Sequence, residues 1–234
     1  MRTRHLIPAL VATGLLLGAC SGGSDSPDDA QKGGDGLSGR LAEAKTALDD
    51  AETISIKLAT KRVPDGITGL LSAEGKGNHS PAFTGKVTVV TGGASLAADV
   101  IATAGKVYAK TGFLPTFSPI DPASLKAPDP AMLLDRDNGI TQILVKTQDL
   151  KQGDKSRDGK DVLTTITGTL PGSVVRTIIP SANAGKPFTV AYRVDDDDNL
   201  RDVTLTGPFY PGVDEVTYTV VLSTSKTPVT IEAP

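Results

Sequence analysis

The feature of this sequence that most constrains its fold is an alternation of apolar and polar residues with a period of two, which begins at Thr53. Residues 54–58, 83–89 and 96–102 all show it, and Gly92-Gly93 separates the last two. Alternating segments joined by glycine turns predict an antiparallel β-meander that is apolar on one face. Further strands are predicted at residues 70–76, 106–110, 150–152, 162–170, 188–194, 200–206 and 215–224.

Helical periodicity appears first in residues 37–51, where apolar residues recur every three or four positions on one face. A helix with one narrow apolar stripe must lie against another element, and the predicted sheet supplies it. Three shorter helices are predicted at residues 130–134, 139–146 and 171–179.

Several residues mark the ends of these elements. Asp137 or Asn138 is placed to cap the helix that follows it, and Pro171 to start the last helix. The proline-rich residues 113–129 are predicted to be irregular. A polar loop at residues 153–160 is predicted to join the two strands around it.

The N-terminal residues 1–19 have a short basic head, an apolar run and small residues before Cys20, as in a bacterial secretory signal. The apolar run is shorter than the about 20 residues that a membrane span needs. Residues 17–20, Leu-Gly-Ala-Cys, closely resemble a lipobox. That resemblance implies cleavage before Cys20 and a diacylglyceryl group on its sulfur. The alternative is an ordinary cleavage site beside an unmodified cysteine.

The chain therefore divides into three parts. Residues 1–19 are predicted to be the signal peptide, and residues 20–36 the lipidated cysteine with a flexible Gly/Ser/Asp tether. Residues 37–234 are predicted to form one domain, because no internal Pro/Gly linker divides them. Two acyl chains hold a protein stably at a membrane where one holds it only marginally. We therefore expect the protein on the outer face of the cell membrane.

Composition argues against several classes of function. The net charge is −3 without a basic tract, which argues against nucleic-acid binding. Cys20 is the only cysteine, so the monomer has no internal disulfide. The two histidines, His5 and His79, cannot form a metal cluster together, because His5 lies in the signal.

No catalytic constellation is present, and we expect neither an enzyme nor a cofactor. The G-x-S-x-G pattern of serine hydrolases is absent, and His79 reads as part of a turn. Residues 195–198 are four consecutive aspartates, which attract hard cations. They lack the spacing of a calcium loop, so a solvated hairpin turn over residues 195–199 is predicted.

Several local strings resemble the actinobacterial lipoproteins of the LppX, LprA, LprF and LprG type. They are Asp-Pro-Ala-Met-Leu-Leu at 129–134, Asn-Gly-Ile at 138–140, Ile-Leu at 143–144 and the Gly-Lys-Asp turn at 159–161. The resemblance implies an α+β, LolA/LolB-like fold with one curved antiparallel sheet, a half-barrel. Helices would cover its concave face and enclose an apolar cavity.

The same resemblance implies a cell-envelope lipoprotein that binds acylated lipids or glycolipids. It would carry them between the cytoplasmic membrane and the outer envelope, with a membrane lipid exporter as partner and Cys20 as anchor. A wall free of bulky rings would leave room for acyl chains. A membrane-anchored binding or scaffold lipoprotein with a filled core and no lipid cargo is the alternative.

The residues expected to line the cavity are apolar residues of the predicted strands and helices. On strands they are Ile54, Ile56, Leu58, Val87, Val89, Leu96, Val100, Val107, Val190, Val203, Leu205, Val216, Tyr218 and Val220. On helices they are Leu133, Leu134, Ile143, Ile178 and Ile179. Ordinary core packing is the competing interpretation for each of them, because a sequence does not distinguish a filled core from a hollow one.

Overall fold

The computed structural model describes residues 27–125, 127–213 and 215–234, with side chains from residue 36 onward. Cys20 and the predicted signal lie outside this part of the chain. Eleven strands form one sheet in which all neighbours are antiparallel. They are β1 (Thr53–Thr60), β2 (Gly69–Asn78), β3 (Ala82–Thr91), β4 (Ala94–Thr103), β5 (Lys106–Thr111), β6 (Ser118–Ile120), β7 (Gln148–Asp158), β8 (Asp161–Leu170), β9 (Phe188–Val194), β10 (Leu200–Gly207) and β11 (Val216–Ser225).

The strand order is β6-β5-β4-β3-β2-β1-β11-β10-β9-β8-β7. Both halves of the chain are meanders, and the pairing of β1 with β11 joins them, with Ile56 opposite Leu222. Within the described residues β6 and β7 are the free edges, so the sheet is open. The predicted fold, a single curved antiparallel sheet with helices over one face, is confirmed.

Among the described residues, three α-helices accompany the sheet: α1 (Pro27–Asp49), α2 (Gln142–Lys146) and α3 (Gly172–Ile178). Two short 3₁₀ helices occupy Ala123–Leu125 and Met132–Leu134. The apolar stripe predicted for the first helix is buried, since Leu37, Leu41, Ala44 and Leu48 are all less than 8% exposed. We call the sheet face that this stripe packs against the inner face, and the opposite one the outer face.

Helix α1 lies across one end of the strands, which we call the helix end of the sheet. Its Arg40 pairs with Asp198 and donates to the carbonyl oxygen of Asp195 at 2.8 Å, in the turn between β9 and β10. Its last turn meets His79, in the turn between β2 and β3. The opposite end of the sheet, where Gly92-Gly93 joins β3 to β4, is called the far end.

The N-terminal part of α1 differs from the prediction. The helix begins at Pro27, so residues 27–36 of the predicted flexible tether are helical. Once packing at Leu37 and Leu41 fixes the helix, each added residue gains a backbone hydrogen bond at little entropic cost. Pro27 suits a first helical position, and the two aspartates after it favour the positive end of the helix dipole. Residues 21–26 of the tether lie outside the described residues.

The polar loop predicted at residues 153–160 is also wrong, because most of it belongs to β7. Asp158 pairs directly with Asp161 across a two-residue turn, in which Gly159 has a φ of +61°. Glycine adopts this conformation at no steric cost, so the hairpin closes tightly. Strand β7 lacks apolar alternation because it is an exposed edge held by its backbone pairing to β8, with two register shifts.

Two smaller predictions also fail. Asp137 and Asn138 do not cap α2, whose N-cap Thr141 makes no side-chain cap bond. Instead the carboxylate of Asp135 accepts from the backbone N–H groups of Asp137 and Asn138 at 3.1 and 2.7 Å. A short aspartate side chain satisfies such turns easily, which draws both residues into a loop before the helix. The proline-rich segment contains β6, in which Pro119 itself lies opposite Tyr108. Proline is tolerated there because β6 is an edge strand.

Candidate functional site

The inner face of the sheet is built of rows of side chains that run across neighbouring strands. Residues directly opposite each other in an antiparallel pair point to the same face. Nearest the helix end, one row contains Ile54, Gly77, Phe83, Ala102 and Val107, all of them buried. This part of the inner face belongs to the main hydrophobic core. Leu134 packs directly against Gly77 there, and Leu48 of α1 lines the same small cavity as Ile54.

Burial decreases toward the far end of strands β1–β4. One row there contains Leu58, Ala73, Val87 and Ala98, and the last contains Leu70, Val89 and Leu96. All seven side chains are half-buried. Val89 and Leu96 do not belong to the hydrophobic core cluster or to the residues packed against it. We call these two rows the apolar wall.

The two faces of the same strands differ sharply in charge. None of the inner-face residues in these rows is charged. The outer face carries ion pairs between Lys57 and Glu74 at 3.1 Å and between Lys110 and Asp99 at 3.4 Å. A groove of about 660 Å³ lies among these charges on the outer face. An acyl chain in this groove would remove water from the charged groups, which costs free energy. The uncharged inner face is therefore the more favourable place to bury apolar chains.

Between Gly75 and Gly85 the inner face is filled by an aromatic ring. The two glycines pair with each other across β2 and β3. A Cβ atom at either position would lie 2.5 or 2.8 Å from the ring of Phe83, which is too close for contact. The absence of both side chains thus lets this ring pack directly against the backbone of the two strands.

The covering helices are held by polar contacts to buried carbonyl groups. The ring of His79 makes contacts of 3.0 Å to the carbonyl oxygen of Leu48 and 2.6 Å to that of Leu134. On β9, the Tyr192 hydroxyl donates to the carbonyl oxygen of Ile143 at 3.2 Å and lies 2.7 Å from the hydroxyl of Thr147. Burial raises the pKa of Tyr192 well above its usual range. Because these contacts fix α1 and α2 to the sheet, the cover has a defined position.

The other half of the inner face is plugged by aromatic rings. Phe209 lies edge-on to Phe188 and to Tyr218, with centroid separations of 5.0 and 4.9 Å. Tyr218 donates to the carbonyl oxygen of Leu70 at 2.5 Å, and its hydroxyl lies 2.6 Å from that of Tyr210. The expectation of a wall free of bulky rings is therefore wrong for this half, and the ring of Phe83 fills part of the other half as well. A few aromatic residues suffice to fill this space, because each ring buries a large surface area.

A small apolar cavity of about 20 Å³ lies between the helices and the sheet. Its volume is close to that needed by one water molecule and far below the about 300–1,000 Å³ of typical ligand pockets. Among its lining residues, Thr141 is 4% exposed, and its hydroxyl has no hydrogen-bond partner among the described residues. The other lining residues are Leu48, Ile54, Ile56, Leu134, Ile140, Ile143, Leu144, Leu200, Val203 and Leu222.

Comparison with known proteins places this arrangement in a family. The model of the family described as LppX_LprAFG lipoprotein matches residues 38–231. The chain belongs to this family. The family resemblance predicted from the strings between residues 129 and 161 is thereby confirmed. A comparison with curated proteins found no match.

Two solved members of the LppX_LprAFG type share the fold. LprF from Mycobacterium bovis superposes with a TM-score of 0.70 at 18% identity, covering 86% of this chain and 97% of LprF. LppX from Mycobacterium tuberculosis gives 0.59 at 17% identity, covering 85% of this chain and 99% of LppX. A LolA superfamily protein from Nitrosomonas europaea gives only 0.28 at 7% identity over 80% of this chain, a likeness too weak to support an argument.

The residues predicted to line a cavity fall into three groups in this LppX_LprAFG protein. Fully buried in the core are Ile54, Val100, Val107, Leu134, Ile143, Ile178, Val190, Val203, Val216, Tyr218 and Val220. Half-buried against that core are Ile56, Leu58, Val87, Leu133, Ile179 and Leu205. Half-buried and outside it are Val89 and Leu96. The small cavity brings together only Ile54, Ile56, Leu134, Ile143 and Val203 from the predicted set.

Sequence reasoning missed several residues of the same surfaces. Leu70 faces Val89 on the apolar wall, and Ala98 faces Val87. Leu70 escaped notice because a register shift between Leu70 and Ser72 interrupts the alternation of β2. Only the cross-strand register shows that it shares a face with Val89. Leu222 and Thr141 were missed although both line the cavity.

The described residues include neither a candidate metal cluster nor a membrane-spanning helix. Within the described ranges, no three histidine, cysteine or acidic side chains are grouped to hold a metal ion. No described helix is long and apolar enough to cross a membrane. The aspartates at 195–198 form the predicted hairpin turn, where the Asp195 carboxylate accepts from the backbone N–H groups of Asp197 and Asn199 at 3.0 and 2.9 Å.

Proposed function

We propose that this protein is a lipid-anchored, non-enzymatic carrier of acylated lipids or glycolipids. The acyl chains lie against the inner face of the sheet, under and beside the covering helices. The protein takes its cargo from the cytoplasmic membrane, where a lipid exporter is the expected partner, and passes it toward the outer envelope. Diacylated Cys20 holds it on the outer face of that membrane.

The apolar wall is the observation that carries this proposal. An acyl chain exposed to water costs about 0.8 kcal/mol per CH₂ group, so a carrier must offer a surface nearly as apolar as the bilayer. The wall around Val87, Val89 and Leu96 has no charge and is only half-buried. An acyl chain can then have nearly the same free energy on the protein as in the membrane, so its transfer needs no catalytic groups.

The small cavity sets a condition on this mechanism. About 20 Å³ does not accommodate an acyl chain, so the chain must lie on the apolar wall or displace α1 and α2 from the sheet. Helix α2 spans only Gln142–Lys146, but Ile143 and Leu144 bury it in the core. Displacing it therefore requires that the acyl chain replace the apolar contacts that these two side chains lose.

The same cavity supports the alternative function, a membrane-anchored scaffold with a filled core. Lipid extraction separates the two. The full chain is purified from membranes of a lipid-rich actinobacterium, extracted with organic solvent and analysed by mass spectrometry. A carrier is expected to release a noncovalent acylated lipid in near-stoichiometric amount. An extract containing no lipid beyond that of an unrelated lipoprotein purified in parallel supports the scaffold.

A second prediction concerns the unpaired hydroxyl of Thr141. Thr141→Val removes a buried polar group without a partner and should stabilise the lipid-free chain by about 1 kcal/mol. If the hydroxyl binds the ester or hydroxyl group of the cargo, the same variant should lower lipid affinity. Thermal unfolding and titration with a fluorescent fatty acid measure the two effects. Thr147→Val serves as control, because its hydroxyl already bonds to Ile143 and Tyr192 and its loss should destabilise the chain.

A further inference from the structure

The far end of the sheet carries an uncharged surface made by three neighbouring segments. Residues 67–73, 87–98 and 111–117 contain no charged residue, in a chain that is 22% charged. Register places them side by side, since Leu70 faces Val89 and Ala98 faces Thr111. We call these three segments the rim.

The rim exposes large apolar side chains at its tip. Phe113 is 87% exposed and Leu114 is 59% exposed, in the turn between β5 and β6. The Thr111 hydroxyl accepts from both of their backbone N–H groups, at 3.3 and 3.1 Å. These contacts hold the turn so that both side chains project from the protein together. Adjacent exposed apolar residues of this size mark a contact surface rather than ordinary surface composition.

The rim is continuous with the apolar wall, whose residues Leu70, Val89 and Leu96 form its inner side. The rim segments themselves contain no charged residue. The charges lie at their border, where the ammonium group of Lys110 is 4.9 Å from the centre of the Phe117 ring and Lys61 and Arg62 are exposed in the connection before β2. Cationic side chains beside an apolar tip suit the headgroups that surround the hydrocarbon of a bilayer. An uncharged apolar tip beside an uncharged wall fits the hydrocarbon edge of a bilayer.

We infer that the rim inserts Phe113 and Leu114 into the surface of a lipid bilayer and so places the apolar wall in contact with the membrane interior. This inference rests on the proposed carrier function and adds the route by which a lipid reaches the wall. An acyl chain then moves from bilayer to protein without crossing water. The face of insertion is the far end of the sheet, opposite the end that α1 covers.

The chain has no tryptophan, so a single introduced tryptophan reports its own surroundings. The full chain carrying Phe113→Trp is purified from membranes and mixed with phosphatidylcholine vesicles whose acyl chains are brominated. We expect strong quenching and a blue shift of the emission. Leu125→Trp is the matched control, because Leu125 is 62% exposed but lies beyond β6, which runs from the far end toward the helix end. It should be quenched several-fold less.

Unquenched emission from Phe113→Trp would overturn the inference. Equal quenching of both variants would also overturn it, because neither end of the molecule would then be preferred at the membrane. Circular dichroism of both variants verifies that the fold is kept. The result is separable from the test of the carrier function. A chain that releases lipid on extraction but leaves Phe113→Trp unquenched disproves the insertion alone, whereas quenching with a clean extract disproves the carrier alone.

Discussion

Replacing Val89 by aspartate is expected to weaken lipid binding strongly while leaving the protein folded. Val89 lies in the middle of the last row of the apolar wall, between Leu70 and Leu96, and is half-buried outside the core cluster. A carboxylate there would lose its hydration beneath an acyl chain, a cost of several kcal/mol. We therefore expect affinity for a fluorescent fatty acid to fall at least about tenfold. The free energy of unfolding should change by about 1 kcal/mol, as for aspartate on an exposed strand.

The control for this variant is Val90→Asp. Val90 is the next residue of the same strand, is also half-buried, and points to the outer face. Both variants therefore have the same strand propensity, and only the face differs. A fatty acid monomer in solution is the probe, because its binding does not depend on docking to a membrane. Equal loss of affinity in both variants, or full affinity in Val89→Asp, would contradict the assignment of the inner face as the lipid site.

Cys20→Ala is expected to remove the lipid anchor entirely. The diacylglyceryl group implied for Cys20 has two long chains, and each buried CH₂ contributes about 0.8 kcal/mol to membrane binding. Loss of both chains exceeds anything the exposed pair Phe113 and Leu114 can contribute. We expect the variant to incorporate no alkyne-labelled palmitate and to leave the membrane fraction.

Ser21→Ala is the control for the anchor, because it changes the neighbouring residue and keeps the sulfur. It should incorporate label like the unaltered chain. Label that persists in Cys20→Ala would place the modification elsewhere, and no label in the unaltered chain would favour an ordinary signal-peptidase site. Both measurements concern residues outside the part of the chain that the structure describes.

The strands could be predicted from the sequence wherever one face is buried and the other is exposed to solvent. In β1 and β9 the alternation of apolar and polar residues is uninterrupted, and Phe188–Val194 was predicted with its observed bounds. Strand β7 was largely missed because it is an edge whose side chains are mostly exposed on both faces. Its place is set by backbone hydrogen bonds to β8, which no side-chain pattern records.

The helix stripe at Leu37, Leu41 and Leu48 was also readable, because a period near 3.6 is specific to helices. The extension of α1 back to Pro27 was not, since residues 27–36 contain no apolar face and depend on the packed part of the helix. The capping error at Asp137 and Asn138 has a similar origin. Asp135, Asp137 and Asn138 all have side chains that can accept from nearby backbone N–H groups. Only the folded loop shows that Asp135 does so.

Only part of the candidate site could be predicted from the sequence. Apolar residues such as Val87 and Val89 could be assigned to one face by their spacing alone. Their exposure could not, because it depends on how far α1 and the segment around Phe209 reach across the sheet. The positions of the Phe83 and Phe209 rings could not be predicted either, because these rings fill space between elements far apart in the chain.

By itself the sequence determined a meander of strands with one apolar face, and it predicts export and a lipid anchor from the lipobox-like residues that end at Cys20. Periodicity and short motifs are local properties, so they can be read without coordinates. Only the tertiary structure decided which apolar residues are sealed in the core and which form the half-exposed wall and rim. The reason is that burial is a relation between distant segments, set by strand register and by where the covering helices end.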